Sequence, residues 1–183
     1  WIREQQKKLQ AQDRQPPREY LDRESHYLWG RRYLLSVQEA DAAPRVTRKH
    51  SRILLQVRPG AGVQTREAVM NQWYREQIRA MAPGIIAKWE PVMGVKVSRY
   101  FVQRMKTKWG SCNPNAATIR LNSELAKKPK ECLEYIIVHE MVHLLECNHT
   151  ERFRALMDQF LPHWQHSRKR LNAEPLGHEE WAY

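Results

Sequence analysis

Three cysteines, Cys112, Cys132 and Cys147, are too few and too irregularly spaced to staple a fold, which excludes a disulfide framework and fits a reducing compartment. A cytoplasmic protein is therefore expected. Nowhere do roughly 18 apolar residues run together, and the longest apolar stretch, residues 135 to 145, is shorter and carries ionisable groups, so no membrane-spanning helix is expected. Internal repeats and a glycine-rich phosphate-cradling loop are also absent, which sets aside repeat scaffolds and P-loop enzymes. The charged opening residues do not read as a signal peptide, and the chain starts on Trp1, so a missing native start is expected. Acidic residues are in deficit, 20 against 31 Lys and Arg, leaving a net charge of +11 and a pI near 9.8. That balance favours anionic partners, whether a nucleic acid, a nucleotide or an acidic peptide. The basic residues cluster at Arg45, Arg48, Lys49 and Arg52, at Arg104, Lys106 and Lys108, at Lys127, Lys128 and Lys130, and at Arg168, Lys169 and Arg170. Any one such cluster is, by default, solvated surface.

What is present is enough for one domain: 183 residues of which 42% are hydrophobic. Its most telling stretch is Tyr135-Ile-Ile-Val-His-Glu-Met-Val-His-Leu-Leu145, an apolar run interrupted at His139, Glu140 and His143. As a helix, it places His143 about 40° and Glu140 about 100° from His139, so two imidazoles and a carboxylate share one side of a dry element. Burying them without partners costs several kcal/mol, and a divalent metal is the partner that takes up imidazole lone pairs. The spacing is that of the H-E-x-x-H motif, in which the histidines bind zinc and the glutamate is a general base. His149, ten residues past His139, is the third ligand candidate. Asn148 is the candidate for ending the helix and swinging His149 back, because asparagine tolerates left-handed backbone geometry. Glu146 is a rival, either as a ligand or as a residue that holds a ligand histidine from behind. Zinc is the expected cofactor, with manganese, cobalt or nickel as alternatives.

The surrounding pattern predicts an α+β fold in which a small antiparallel β-sheet packs on a few helices, one of them the buried H-E-x-x-H helix. Residues 1 to 17 read as an exposed helical lead-in ending at Pro16-Pro17, and residues 26 to 58 as an antiparallel meander. After Thr65, Met70, Tyr74, Ile78, Met81 and Ile85 recur at helical spacing, and Pro83-Gly84 is expected to kink or split that helix. Two strands, Val95 to Val102 and Arg104 to Cys112, precede a turn at Asn113-Pro114-Asn115 and a strand at Thr118 to Leu121. Alternation along the second puts Arg104, Lys106 and Lys108 on one face, which could border a cleft and attract an anionic substrate. Pro129 opens the metal helix, with Glu131 and Glu134 complementing its dipole. Thr150 caps a helix with a Phe153, Leu156, Met157, Phe160, Leu161 stripe, Trp164 to Leu171 adds helix, and residues 173 to 183 form a tail.

Arg104-Met-Lys-Thr-Lys-Trp-Gly-Ser-Cys112, Ile119-Arg-Leu-Asn122, the segment from Tyr135 to Glu146, Asn148-His149 and Phe153 together resemble the YgjP-like metallopeptidase family. The likeness covers residues 66 to 172 well and Tyr27-Leu-Trp-Gly30 more weakly. It implies a single zincin-like domain over residues 1 to 183, with His139, His143 and His149 as zinc ligands and Glu140 as the catalytic glutamate. Met141 and Arg154 depart from residues frequent in the family, and neither is an expected ligand. A β-rich stretch usual upstream in the family also implies a missing start here.

Three readings follow from a metal-activated water. The first is a metallopeptidase acting on a peptide, with Arg104, Asn122 and Tyr135 as candidate oxyanion donors and Lys106 and Lys108 as further substrate-binding candidates. The second is a nucleoside triphosphate pyrophosphatase, converting UTP to UMP and pyrophosphate, with Arg104, Lys106 and Lys108 against the phosphates. The third is a DNA-associated metalloprotein or protease, whose signature is salt-sensitive DNA affinity.

Overall fold

The computed structural model describes residues 18 to 173, so the expected lead-in at 1 to 17 and tail beyond 173 lie outside the described residues. The elements are β1 (Ser25–Leu28), β2 (Arg31–Glu39), β3 (Arg45–Lys49), β4 (Arg52–Val57), α1 (Val63–Met93), β5 (Arg99–Gln103), β6 (Gly110–Asn113) and β7 (Thr118–Asn122). A 3-10 turn (Ser123–Lys127) follows, then α2 (Lys130–Val142), α3 (Glu151–Phe160) and α4 (Trp164–Ala173). The expected α+β class is what the chain adopts. No described helix is long and apolar enough to cross a membrane.

Both sheets are mixed, which corrects the expectation of an antiparallel one. The first has the order β1-β2-β4-β3, with β4 parallel to β2 and antiparallel to β3. Composition explains the order. Ile53, Leu55 and Val57 of β4 are completely buried, so this strand takes an interior position with a neighbour on each side, whereas the polar Arg-Val-Thr-Arg-Lys of β3 suits an edge. The second sheet has the order β5-β7-β6, and its central β7 buries Ile119 and Leu121. Here β5 runs parallel and β6 antiparallel to β7, joined through the expected Asn113-Pro114-Asn115 turn.

The predicted strand from Arg104 onward does not form before Gly110. Residues 104 to 108 are an irregular loop, so the argument that alternation lines up Arg104, Lys106 and Lys108 fails. Asn122 imposes this path. Its buried side chain accepts from Met105 N at 3.4 Å and Glu124 N at 3.1 Å and donates to Met105 O at 3.0 Å and Lys108 O at 2.8 Å. Those bonds take the loop's backbone groups away from any strand partner.

Helix α1 is unbroken over 31 residues despite Pro83 and Pro91, and it starts after Gly62, ahead of the Thr65 expected. An interior proline costs about 3 kcal/mol. The buried row Met70, Trp73, Tyr74, Ile78, Ala82, Ile86, Trp89 and Met93 continues through both prolines, and packing along it offsets that cost. The helix stops at Gly94, whose φ of 66° lets its N–H close on Glu90 O. Past its exposed first turn, helix α2 is buried almost throughout by α1, α3, α4 and the second sheet. Glu134, expected to complement its dipole, instead accepts from Lys88 Nζ at 2.7 Å and Trp89 Nε1 at 2.9 Å, tying α2 to α1. Thr150 caps α3 as predicted, accepting from Phe153 N at 3.3 Å.

Trp29 and Gly30, both with positive φ, form the two-residue turn between β1 and β2. A Cβ at Gly30 would stand 2.9 Å from Pro129 Cγ at the start of α2, whereas one at Gly60, with the same φ of 75°, would touch nothing. Gly30→Ala should therefore destabilise by about 2–4 kcal/mol, combining the left-handed cost with overpacking, and Gly60→Ala by about 1–2 kcal/mol. Urea denaturation of both variants measures the difference; equal losses would remove the Pro129 contact from the account.

His26 on β1 is 1% exposed, and its Nε2 lies 3.0 Å from Glu24 Oε1 without the alignment of a hydrogen bond. Burial, and then Arg18, push the imidazole down to about 4, against the pull of Glu24. A folded value below the unfolded 6.5 means that neutral His26 supports the fold above that pH, and that the support is lost as pH falls through about 4. The loss is at most about 3 kcal/mol, at about 1.4 kcal/mol per pKa unit. Wild type should accordingly lose more stability between neutral pH and pH 4 than His26→Gln, as read by urea midpoints; parallel declines would contradict it.

Candidate metal centre

The site is assembled by the end of α2 and the loop that returns across it. His139 and Glu140 lie in the last helical turn, 4% and 1% exposed. His143 is the residue that caps the helix, which ends well before Asn148. Asn148 is not in left-handed geometry, which corrects the expected turn. Reversal comes from tightening: Leu144 N bonds Met141 O, while Leu145 N and Glu146 N both bond Val142 O at 2.9 Å. The first two are i→i−3 bonds and the third i→i−4, and together they use the helix's last carbonyls and turn the chain without a glycine. His149 thereby comes back over α2, and its Nε2 stands 3.1 Å from His139 Nε2.

One nitrogen from each of His139, His143 and His149 falls within 4.8 Å of the others. His143 Nδ1 lies 3.2 Å from the Glu146 carbonyl oxygen. A carbonyl can only accept, so Nδ1 carries the proton and Nε2 keeps its lone pair. Phe153, from the first turn of α3, packs its ring centroid 4.9, 4.7 and 4.7 Å from those of His139, His143 and His149, so one aromatic braces all three. Tyr135 meets His139 edge-on and stacks on Trp164. Burial, with His143 and His149 adding, lowers His139 to about 3, and burial also lowers His143 and His149. All three imidazoles are thus neutral, as metal ligands must be.

Glu140 faces a different neighbour. Burial raises its carboxyl to about 8, with Lys108 opposing. Its Oε1 is buried without a hydrogen-bond partner among the described residues. A Cβ at Gly110 would sit 2.5 Å from that oxygen, so only glycine leaves room for the carboxylate. The two residues meet at a cavity of about 400 Å³, lined also by Lys108, Ser111, Cys112 and His149.

The other sequence-derived candidates separate. Glu146 contributes its main-chain oxygen to His143, while its carboxylate accepts from Asn148 N at 3.4 Å and is outside the cluster of ligand nitrogens. Of the three cations, Lys108 alone lines the cavity; Arg104 pairs with Glu67 at 3.0 Å and Lys106 is exposed elsewhere. Asn122 is fully buried by its loop bonds and Tyr135 is 1% exposed, so neither can reach a substrate. Gly110 and the bracing role of Phe153 are additions. Gly110 was visible only as part of Trp109-Gly-Ser-Cys112, and Phe153 only as one member of an apolar stripe.

The chain belongs to the YgjP-like metallopeptidase family, whose metallopeptidase domain matches residues 1–174. Two solved structures are more distantly similar. One is the metallopeptidase zymogen abylysin of Pyrococcus abyssi, 17% identical over 51% of this chain and 93% of that one, with a TM-score of 0.47. The other is the metallopeptidase zymogen jannalysin of Methanocaldococcus jannaschii, 22% identical over 49% of this chain and 91% of that one, with a TM-score of 0.43. None of the curated proteins matches the chain.

Because a methyl at Gly110 must displace Glu140, Gly110→Ala should cost about 1–3 kcal/mol of stability. In the Gly110→Ala/Glu140→Ala double variant most of that coupling should vanish, and a double-mutant cycle by urea unfolding reads it. Additive losses would show that the two residues do not press on each other.

Proposed function

We propose that the chain is a metal-dependent peptidase in which His139, His143 and His149 hold a divalent cation, zinc first among the candidates, and Glu140 handles protons. The observation that carries this reading is the convergence of three neutral imidazole nitrogens within 4.8 Å beside a buried carboxyl oxygen that has no hydrogen-bond partner among the described residues. The donor set suits the ion. Two nitrogens bound tetrahedrally to one zinc stand about 3.3 Å apart, and the His139–His149 pair is at 3.1 Å. When bound, such a cation supplies Lewis acidity and lowers the pKa of water to about 7.

The chain's own residues do the rest. Glu140, whose carboxyl burial pushes up, is the group placed to take a proton and return it to a leaving amine. Gly110 gives that oxygen its space, and the Glu146 carbonyl keeps His143 in the right tautomer. Strand β6 is an edge strand of its sheet and supplies Gly110, Ser111 and Cys112 to the cavity, so an extended peptide could add alongside it by main-chain pairing. The triphosphate reading is weaker here, since Lys108 alone remains of the cationic cradle it called for.

Glu140→Gln should retain bound zinc while hydrolysis of a peptide panel falls by about 10²–10⁴, and His139→Ala should lose both metal and turnover. Metal analysis and rate on one preparation give both readouts. A Gln variant working at the wild-type rate would refute the proton-transfer role, and pyrophosphate release from UTP without peptide cleavage would refute the peptidase.

A further inference from the structure

A second cavity, of about 530 Å³, opens at the opposite end of α2. Nine residues separate Lys130 from His139, roughly 14 Å along a helix axis, so this cleft is distinct from the metal centre. Its charged walls come from separate parts of the chain: Arg31 begins β2, Arg48 lies in β3, Lys130 begins α2 and Arg170 lies in α4. The fold has thus drawn three of the basic clusters seen along the sequence, and Arg31 besides, around one opening. Among the described residues a single acid, Glu131, accompanies them, 3.8 Å from Arg170 in a pair exposed on both sides. Arg31, Arg48 and Lys130 make no ion pair among the described residues.

Holding four cations around one cavity is unfavourable unless water or an anion compensates, and two further features favour the anion. The first turn of α2 opens there, with no side chain capping it, and adds the partial positive charge of a helix N-terminus. Trp29 also lines the cavity, half-buried and packed in part against the core, in a turn pinned by Trp29 N to Ala126 O at 2.8 Å and Gly30 N to Lys127 O at 3.2 Å. The backbone that carries the tryptophan is therefore held beside the cations.

We propose that this cleft binds the phosphate backbone of a single-stranded nucleic acid. Three of its four cations are arginines, whose planar guanidinium forks match phosphate oxygens two at a time. Trp29 is an aromatic in the same lining on which a base would stack, and cations beside an aromatic are the combination that marks single-strand binding. An acidic peptide would meet the arginines but leave Trp29 unused.

The test is fluorescence anisotropy with a short labelled single-stranded oligonucleotide, titrated at several salt concentrations on the full chain. Arg31→Glu/Arg48→Glu should weaken binding by at least about tenfold and reduce the slope of log affinity against log salt by about 1.4, at roughly 0.7 per single-strand phosphate contact. The exposed pair Arg58→Glu/Arg79→Glu removes the same charge away from the cleft and should leave the slope unchanged. Arg31→Gln/Arg48→Gln, a milder change, should shift binding in the same direction should the reversal variant fold poorly. Equal weakening by the two reversal pairs would overturn the proposal, because net charge would then suffice. So would displacement of the oligonucleotide by poly-glutamate or inorganic phosphate at equal charge concentration, or tighter binding of a duplex than of a single strand.

Discussion

Past its exposed first turn, helix α2 is packed among the other elements and yet carries titratable groups at its C-terminal end, and the rest of the structure answers to that constraint. Ordinary core helices avoid it, since each buried polar group without a partner costs about 1–3 kcal/mol. Here the imidazoles meet one another, a carbonyl and an aromatic ring, and burial keeps them neutral. Glu140 keeps one oxygen with no hydrogen-bond partner among the described residues. The proposed metal-dependent centre would account for such groups in so dry a helix, where electrostatic effects are strong.

Holding that arrangement requires rigid walls. Helix α1 supplies one, running 31 residues past two prolines because its buried face is continuous, and anchoring α2 through Lys88 and Trp89 onto Glu134. The second sheet supplies another, with its edge strand β6 placing Gly110 against Glu140. Asn122, which looked like a substrate ligand, serves this wall by pinning the loop that leads into β6. Phe153 closes the set from α3. Residues that never touch a cation thus decide whether three ring nitrogens converge.

The two ends of α2 differ in character. Its C-terminal end gathers neutral imidazoles beside one cavity, and its N-terminal end gathers exposed cations and Trp29 around another. One helix dipole suits both, favouring anions at the start of the helix and cationic groups at its finish.

The histidine cluster was legible in sequence because its geometry is local: His139, Glu140 and His143 share a helical face by the geometry of one element, and His149 follows within a short loop. Thr150 as a cap and the helical periodicity of α1 and α3 were legible for the same reason. Strand order was not, since β4 lies between β2 and β3 through burial of Ile53, Leu55 and Val57 against distant elements. Nor was the fate of Arg104 to Lys108, which read as an alternating strand until Asn122, some 17 residues on from Met105, took its backbone groups. Pro83 read as a break because helix cost is local and the packing that outweighs it is not. The partner of Glu140, the brace on the histidines and the convergence of Arg31, Arg48, Lys130 and Arg170 depend on contacts between elements far apart in the chain, and only the tertiary structure decided them.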